Sequence, residues 1–86
     1  MKKKKKAREN KVTTLDALLP GEDGVIEKIS RKCAIKRRLY DLGFCRGERV
    51  VCEMESPLGD PRAYYVRGTL IALRRSDASF VVLRSR

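Results

Sequence analysis

The second half of the sequence consists of short strand-forming runs separated by turn-forming residues, and this pattern restricts the fold more than any other feature. The runs are ERVVCEMES (48 to 56), RAYYVRG (62 to 68), TLIALRR (69 to 75) and FVVLRS (80 to 85). In the first run, Val50, Cys52 and Met54 share one face, as in a half-buried strand. Short strands joined by tight turns favour a small closed or nearly closed β-barrel, which leaves few exposed edges.

One further strand and one helix are predicted before these runs. VIEKIS (25 to 30) is rich in β-branched residues, which favours a strand. The next segment, RKCAIKRRLYDLGF (31 to 44), predicts a helix because apolar residues recur at i, i+4 and i+7. These residues are Ile35, Leu39 and Leu42.

The same segment indicates where the helix ends and which face it exposes. Gly43 is well placed to adopt the left-handed conformation that closes a helix. Lys36, Arg37 and Tyr40 point away from the apolar stripe. We therefore expect these three side chains on the exposed face.

A short N-terminal helix is predicted within VTTLDALLPGEDG (12 to 24). Thr13 and Asp16, three residues apart, resemble a capping pair. Three residues then supply one apolar face, namely Leu15, Leu18 and Leu19. Pro20-Gly21 ends this helix after little more than one turn.

The loop SPLGDP (56 to 61) is predicted to be a rigid connection between two strands. Pro57 and Pro61 cannot donate to a strand ladder, so they end the strands on each side. Gly59 permits a positive φ, and we expect Asp60 to accept a hydrogen bond from its own local backbone. No metal is needed to hold such a turn.

A chain of 86 residues is one small domain. The predicted fold is mainly β, a small SH3-like β-barrel of about five strands. One helix lies between the first and second strands, and a short helix lies at the N-terminus. An OB-fold is the competing architecture, but it usually inserts its helix later, between the third and fourth strands.

The net charge of +10 is unevenly distributed. Residues 1 to 11 carry seven Lys or Arg and one Glu, which predicts a disordered basic tail before a domain at 12 to 86. Such a tail could remain solvated or contact anionic lipid headgroups or nucleic acid. Because the sequence lacks both a signal peptide and a run of about 20 apolar residues, we expect a cytoplasmic protein, and contact of the tail with lipid would place it at the inner face of the plasma membrane.

The sequence offers few groups for catalysis. It contains no His, and its three cysteines (Cys33, Cys45 and Cys52) match no zinc or disulfide spacing. Phosphate-binding glycine motifs are also absent. We therefore expect no enzyme activity, no cofactor and no dedicated metal site. Transient binding of an ion at the surface stays an open alternative. An alternative is a small basic barrel that binds RNA or DNA, with the tyrosines of RAYYVRG as a stacking platform.

Three motifs resemble the FeoA family of small bacterial proteins in order and spacing. They are LYDLGFCRGERV (39 to 50), PLGDP (57 to 61) and VRGTLIALRRSDA (66 to 78). The resemblance extends over residues 14 to about 84, which is nearly all of the chain except the tail. It implies an SH3-like barrel with a helix after the first strand, in agreement with the pattern above.

The resemblance also implies a function. FeoA-like proteins are accessories of the ferrous iron permease FeoB, a membrane protein with a GTPase domain, and they have no established catalysis. We accordingly expect an iron transport adaptor that acts through protein–protein interaction. The predicted contacts are the exposed helix residues Lys36, Arg37 and Tyr40, with Leu58 at the tip of the SPLGDP loop.

Overall fold

The computed structural model describes residues 12–55, 57 and 59–85, in which six strands form one antiparallel sheet. The strands are β1 (Val12–Thr14), β2 (Asp23–Ile29), β3 (Arg49–Glu55), β4 (Arg62–Val66), β5 (Thr69–Leu73) and β6 (Val81–Arg84). Their order in the sheet is β1-β6-β2-β3-β4-β5, so β1 and β5 are the edge strands.

Three short helices connect the strands. They are a 3-10 helix (Leu15–Ala17), α1 (Lys36–Leu42) between β2 and β3, and α2 (Arg75–Ala78) between β5 and β6. No helix in the described part of the chain is long and apolar enough to cross a membrane.

The mainly β prediction is confirmed, but its details need correction at the N-terminus. The structure has a sixth strand, β1, which pairs with β6, so α1 follows the second strand and not the first. The predicted capping pair of Thr13 and Asp16 is wrong, because Thr13 belongs to β1 and the Thr14 hydroxyl donates to Asp16 Oδ1 at 2.5 Å. The predicted helix is a single 3-10 turn, and Leu19 is 56% exposed.

Two irregularities in strand pairing explain where the alternation of buried and exposed side chains is interrupted. The register between β2 and β6 shifts between Ile26 and Lys28, which brings both Ile26 and Ile29 into the core. The register between β3 and β4 shifts between Cys52 and Met54. Met54 was predicted on the core face, but this shift turns it outward, and it is 56% exposed.

A single core is packed between the sheet and the helices. Its largest fully buried side chains are Tyr64, Phe44, Leu15, Ile26, Leu39 and Leu83. Arg62 is also buried, because its Nη1 donates to the backbone oxygens of Asp16 (2.9 Å) and Leu18 (2.5 Å). The Arg62 side chain thus connects β4 by hydrogen bonds to the segment around the 3-10 helix.

The loop between β3 and β4 keeps part of its predicted design. β3 ends before Pro57, β4 begins after Pro61, and Gly59 has a positive φ of 83°. The Asp60 carboxylate accepts a hydrogen bond from the backbone N–H of Arg75 at 2.8 Å, a contact that was not predicted, and its bond to the local backbone stays a prediction. The loop is therefore fixed from outside, by the start of α2.

Tyr64 gives the fold an expected alkaline sensitivity. Burial raises the pKa of its phenol above the usual value of about 10, and the nearby Cys52 acts in the same direction. Tyr64 therefore keeps its proton to a higher pH in the folded state than in the unfolded state. The stability that the neutral Tyr64 contributes is complete below about pH 10 and is lost as the pH rises through the raised pKa.

We expect the free energy of unfolding to fall above about pH 10 in the wild-type protein. The Tyr64 hydroxyl is buried and forms no hydrogen bond of normal geometry among the described residues, although the Arg62 guanidinium lies near it. Tyr64→Phe should therefore leave stability at neutral pH unchanged or raise it by about 1 kcal/mol, and it should flatten the alkaline decline. Urea unfolding at several pH values measures both quantities, and an unchanged slope in Tyr64→Phe contradicts the assignment.

Candidate partner-binding surface

Helix α1 is held in place by one buried side chain and a specific C-terminal cap. Leu39 is fully buried beneath the helix, and Phe44 is buried just beyond its end. Gly43 has a φ of 109°, and its N–H donates to the Tyr40 carbonyl while the Phe44 N–H donates to the Leu39 carbonyl. This is a Schellman motif, as Gly43 predicted, and the side chains of Leu39 and Phe44 both belong to the hydrophobic core.

The predicted contact residues on α1 lie together. Arg37 and Tyr40 are exposed, and Lys36 is half-buried. The Lys36 Nζ lies 5.8 Å from the centroid of the Tyr40 ring, within range of a cation–π contact. The fourth predicted residue, Leu58, lies outside the described residues, so its role stays a prediction.

The helix is shorter than predicted, and one residue of its predicted apolar stripe is exposed. Residues 31 to 35 form turns, so the helix begins only at Lys36. Leu42 was predicted on the buried stripe but is 39% exposed, whereas Ile35 packs partly against the core. The reason is the shortness of α1, since seven residues bury only their central apolar side chain.

Charge is unevenly distributed along the sequence of the folded domain. Residues 12 to 85 contain thirteen Lys or Arg and ten Asp or Glu. Six of these cations, and none of the acids, lie in residues 28 to 38, which we call the basic segment. The basic segment therefore carries +6, and the remaining described sequence carries −3.

The basic segment is also unneutralised. Ion pairs among the described residues lie elsewhere, in Arg46–Glu27 (3.3 Å), Arg84–Glu27 (2.9 Å), Arg49–Asp23 (2.7 Å) and Arg67–Glu48 (3.7 Å). The basic segment takes part in none of these pairs, and all of its cations are exposed except the half-buried Lys36. Such a surface attracts anionic groups.

A groove of about 430 Å³ separates α1 from β5 and the residues that follow it. Five of its eight lining residues are apolar, and Arg38 and Arg74 lie at its margins. The complete lining is Ile35, Arg38, Leu42, Ile71, Ala72, Leu73, Arg74 and Asp77. The groove could not be predicted from the sequence because it depends on the exposure of Leu42 and on which strand forms the sheet edge.

The cysteines and carboxylates are dispersed. Cys33 and Cys52 are buried as small apolar residues, whereas Cys45 is half-buried and its thiol donates to the Tyr40 carbonyl at 3.8 Å. In the part of the chain that the structure describes, no three His, Cys, Asp or Glu side chains are close enough to hold a metal ion.

The architecture defines a small SH3-like β-domain, and solved structures have the same form. FeoA of Stenotrophomonas maltophilia in complex with zinc, an SH3 domain protein, is 37% identical, with a TM-score of 0.74 over 83% of this chain and 88% of that one. FeoA of Chlorobium tepidum is 30% identical, with a TM-score of 0.78 over 85% of this chain and 70% of that one.

The family model of the FeoA domain matches residues 13–85, and the chain belongs to this family. A relative from Porphyromonas gingivalis is a fusion of Fe(2+) transport protein A with the Fe(2+) transporter FeoB. It is 29% identical over 65 residues, which are 76% of this chain. The aligned region spans only 8% of the fusion protein's length. The family assignment and its link to ferrous iron transport, predicted from the three motifs, are thus confirmed.

Proposed function

We propose that this chain is a non-enzymatic accessory protein of bacterial ferrous iron uptake that binds the permease FeoB and modulates it. The observation that carries this proposal is the Porphyromonas gingivalis fusion, in which both parts occur in one polypeptide. A covalent link keeps two domains at high effective concentration, which suits parts that work in contact. The absence of His from the sequence is consistent with a binding role.

We propose the exposed face of α1 as the surface that contacts the permease. Tyr40 presents a large amphipathic side chain, and the Lys36 ammonium lies over one face of its ring. Tyr and Arg side chains frequently dominate binding energy at interfaces. The adjacent Arg37 supplies the second such group, and Leu58 extends the proposed contact from the loop.

Co-purification from bacterial membranes tests this proposal. The tagged full chain is expected to recover FeoB, and Arg37→Glu combined with Tyr40→Ala should reduce recovery about tenfold or more. The matched control is Arg49→Glu with Tyr65→Ala, which changes the same residue types on the sheet, where both side chains are exposed. Failure of the wild-type chain to recover FeoB contradicts the function, whereas equal loss in both double variants contradicts the choice of surface.

We further propose that the Lys-rich N-terminus places the protein at the cytoplasmic face of the membrane. The tail predicted at residues 1 to 11 lies outside the described residues, so the support is its composition of seven Lys or Arg and one Glu. Each lysine near an anionic bilayer contributes on the order of 1 kcal/mol. Deletion of residues 2 to 6 should greatly reduce co-sedimentation with anionic vesicles, and unchanged sedimentation contradicts this role.

The alternative function, RNA or DNA binding, draws support from the basic segment. Of the two tyrosines in the predicted stacking platform, however, Tyr64 is fully buried and only Tyr65 is available. Nucleic-acid affinity falls steeply with salt because phosphate contacts release counterions. A titration with single-stranded RNA at two salt concentrations therefore separates this function from permease binding.

A further inference from the structure

The free edge of β5 has backbone groups in position to pair with another strand. β4 and β5 are joined by a two-residue turn, Arg67–Gly68, whose φ angles of 50° and 78° are typical of a type I′ hairpin. In such a hairpin the flanking residues Val66 and Thr69 form a hydrogen-bonded pair, and pairing alternates from there.

This alternation fixes the direction of each backbone group in β5. Thr69, Ile71 and Leu73 exchange hydrogen bonds with β4. Leu70 and Ala72 therefore direct their N–H and C=O groups to the open side of the strand. No backbone hydrogen bond from another described element reaches these two residues. A row of unpaired backbone N–H and C=O groups on an edge strand is a template for the addition of another strand.

The groove between α1 and β5 runs along this edge. It is lined by Ile71 and Leu73, which face the core, and also by Ala72, which faces outward. Residues from both faces of one strand can line a single groove only where it follows the edge of that strand. On the opposite wall, Ile35 and Leu42 supply apolar surface.

The margins of the groove are cationic. Arg38 and Arg74 line it and are exposed, and neither forms an ion pair among the described residues. Arg38 also belongs to the basic segment, which continues the positive surface away from the groove. Asp77 is the acidic residue in the lining. The groove therefore favours a ligand with apolar side chains for its floor and acidic side chains for its margins.

We propose that the β5 edge and this groove bind an acidic, strand-forming peptide segment of a partner protein, by addition of that segment as a further strand. Main-chain bonds to Leu70 and Ala72 supply part of the affinity, and alternating apolar and acidic side chains supply the specificity. This inference rests on the proposed function for the identity of the partner, since it specifies the kind of segment that the permease would present.

Two other occupants fit the surface less well. A second copy paired edge to edge would bring the cationic margins of both grooves together, which is unfavourable. A lipid bilayer presents a broad surface and cannot supply peptide hydrogen bonds to the edge of a strand. Both occupants are distinguished from a peptide by the experiment below.

The probe is a short synthetic peptide of alternating Val and Glu, titrated into the full chain with backbone amide NMR and fluorescence anisotropy. We expect the amides of Leu70 and Ala72 to shift and to gain protection from hydrogen exchange. Ala72→Pro, which removes one edge N–H, should weaken binding about tenfold, whereas Ala72→Val, which keeps it, should not.

A charge reversal completes the test. Arg38→Glu with Arg74→Glu should weaken binding about tenfold or more, in contrast to the matched double variant Lys28→Glu with Arg46→Glu on exposed sites away from the groove. A Val–Lys peptide should not bind. The proposal is overturned by equal loss in both double variants, by shifts centred away from β5, or by β5 shifts that arise instead from self-association or from anionic vesicles.

This peptide assay is independent of the co-purification assay. Recovery of FeoB without binding of the acidic peptide overturns the strand-addition inference and leaves the proposed function intact. Binding of the peptide without recovery of FeoB supports the groove as a peptide site and overturns the permease as its partner.

Discussion

Arg62→Met is expected to lower the free energy of unfolding by about 3 kcal/mol, because it leaves one buried and one partly buried carbonyl without their donor. The guanidinium Nη1 bonds the backbone oxygens of Asp16 and Leu18, and the side chain is only 7% exposed. Methionine fills much of the same volume but offers no hydrogen bond. In a domain of this size such a loss lowers Tm by more than about 10 °C.

Arg49→Met is the matched control for this substitution. Arg49 forms an ion pair with Asp23 at 2.7 Å, but its side chain is 57% exposed, so its loss should cost less than about 1 kcal/mol. Thermal and urea unfolding of both variants measure the difference. If Arg62→Met is as stable as Arg49→Met, the buried guanidinium does not hold the 3-10 segment to β4 as its hydrogen bonds indicate.

Leu39→Ala is expected to cost about 3 kcal/mol, since it creates a cavity beneath α1. Leu39 is fully buried and is the buried residue of this helix. The same substitution at Leu42, which is 39% exposed on the same helix, should cost less than about 1 kcal/mol. Urea unfolding compares the two, and similar losses would show that α1 is anchored elsewhere.

The family and the strand pattern could be predicted because their signals are local. The motif LYDLGFCRGERV contains both Leu39, which is fully buried, and Gly43, whose positive φ ends α1. The runs around Val50 and Tyr64 alternate with a period of two, and both residues are buried as this pattern predicts. These features need only neighbouring residues to be recognised.

The features that were missed depend on distant parts of the chain. The register shift in β3 exposes Met54, and it arises from pairing with β4. Three residues form β1 only because β6 lies beside them. Arg62 follows the same alternation as Tyr64 and so belongs on the inner face, but a charged side chain is ordinarily expected outside. Its hydrogen bonds to the backbone oxygens of Asp16 and Leu18, which lie far away in the sequence, help to permit its burial.

Within residues 12 to 85, the opposite net charges of the basic segment and of the remaining sequence give the domain an electric dipole. A dipolar domain rotates in the field of an anionic surface before contact, which favours encounters that begin on a positively charged side such as the one formed by the basic segment. Orientation during diffusion accelerates productive association without adding any contact to the bound state. The six cations along one short segment thus favour one side of the domain over the others for the first contact with an anionic partner. Added salt should therefore slow the association of the domain with such a partner more than their dissociation.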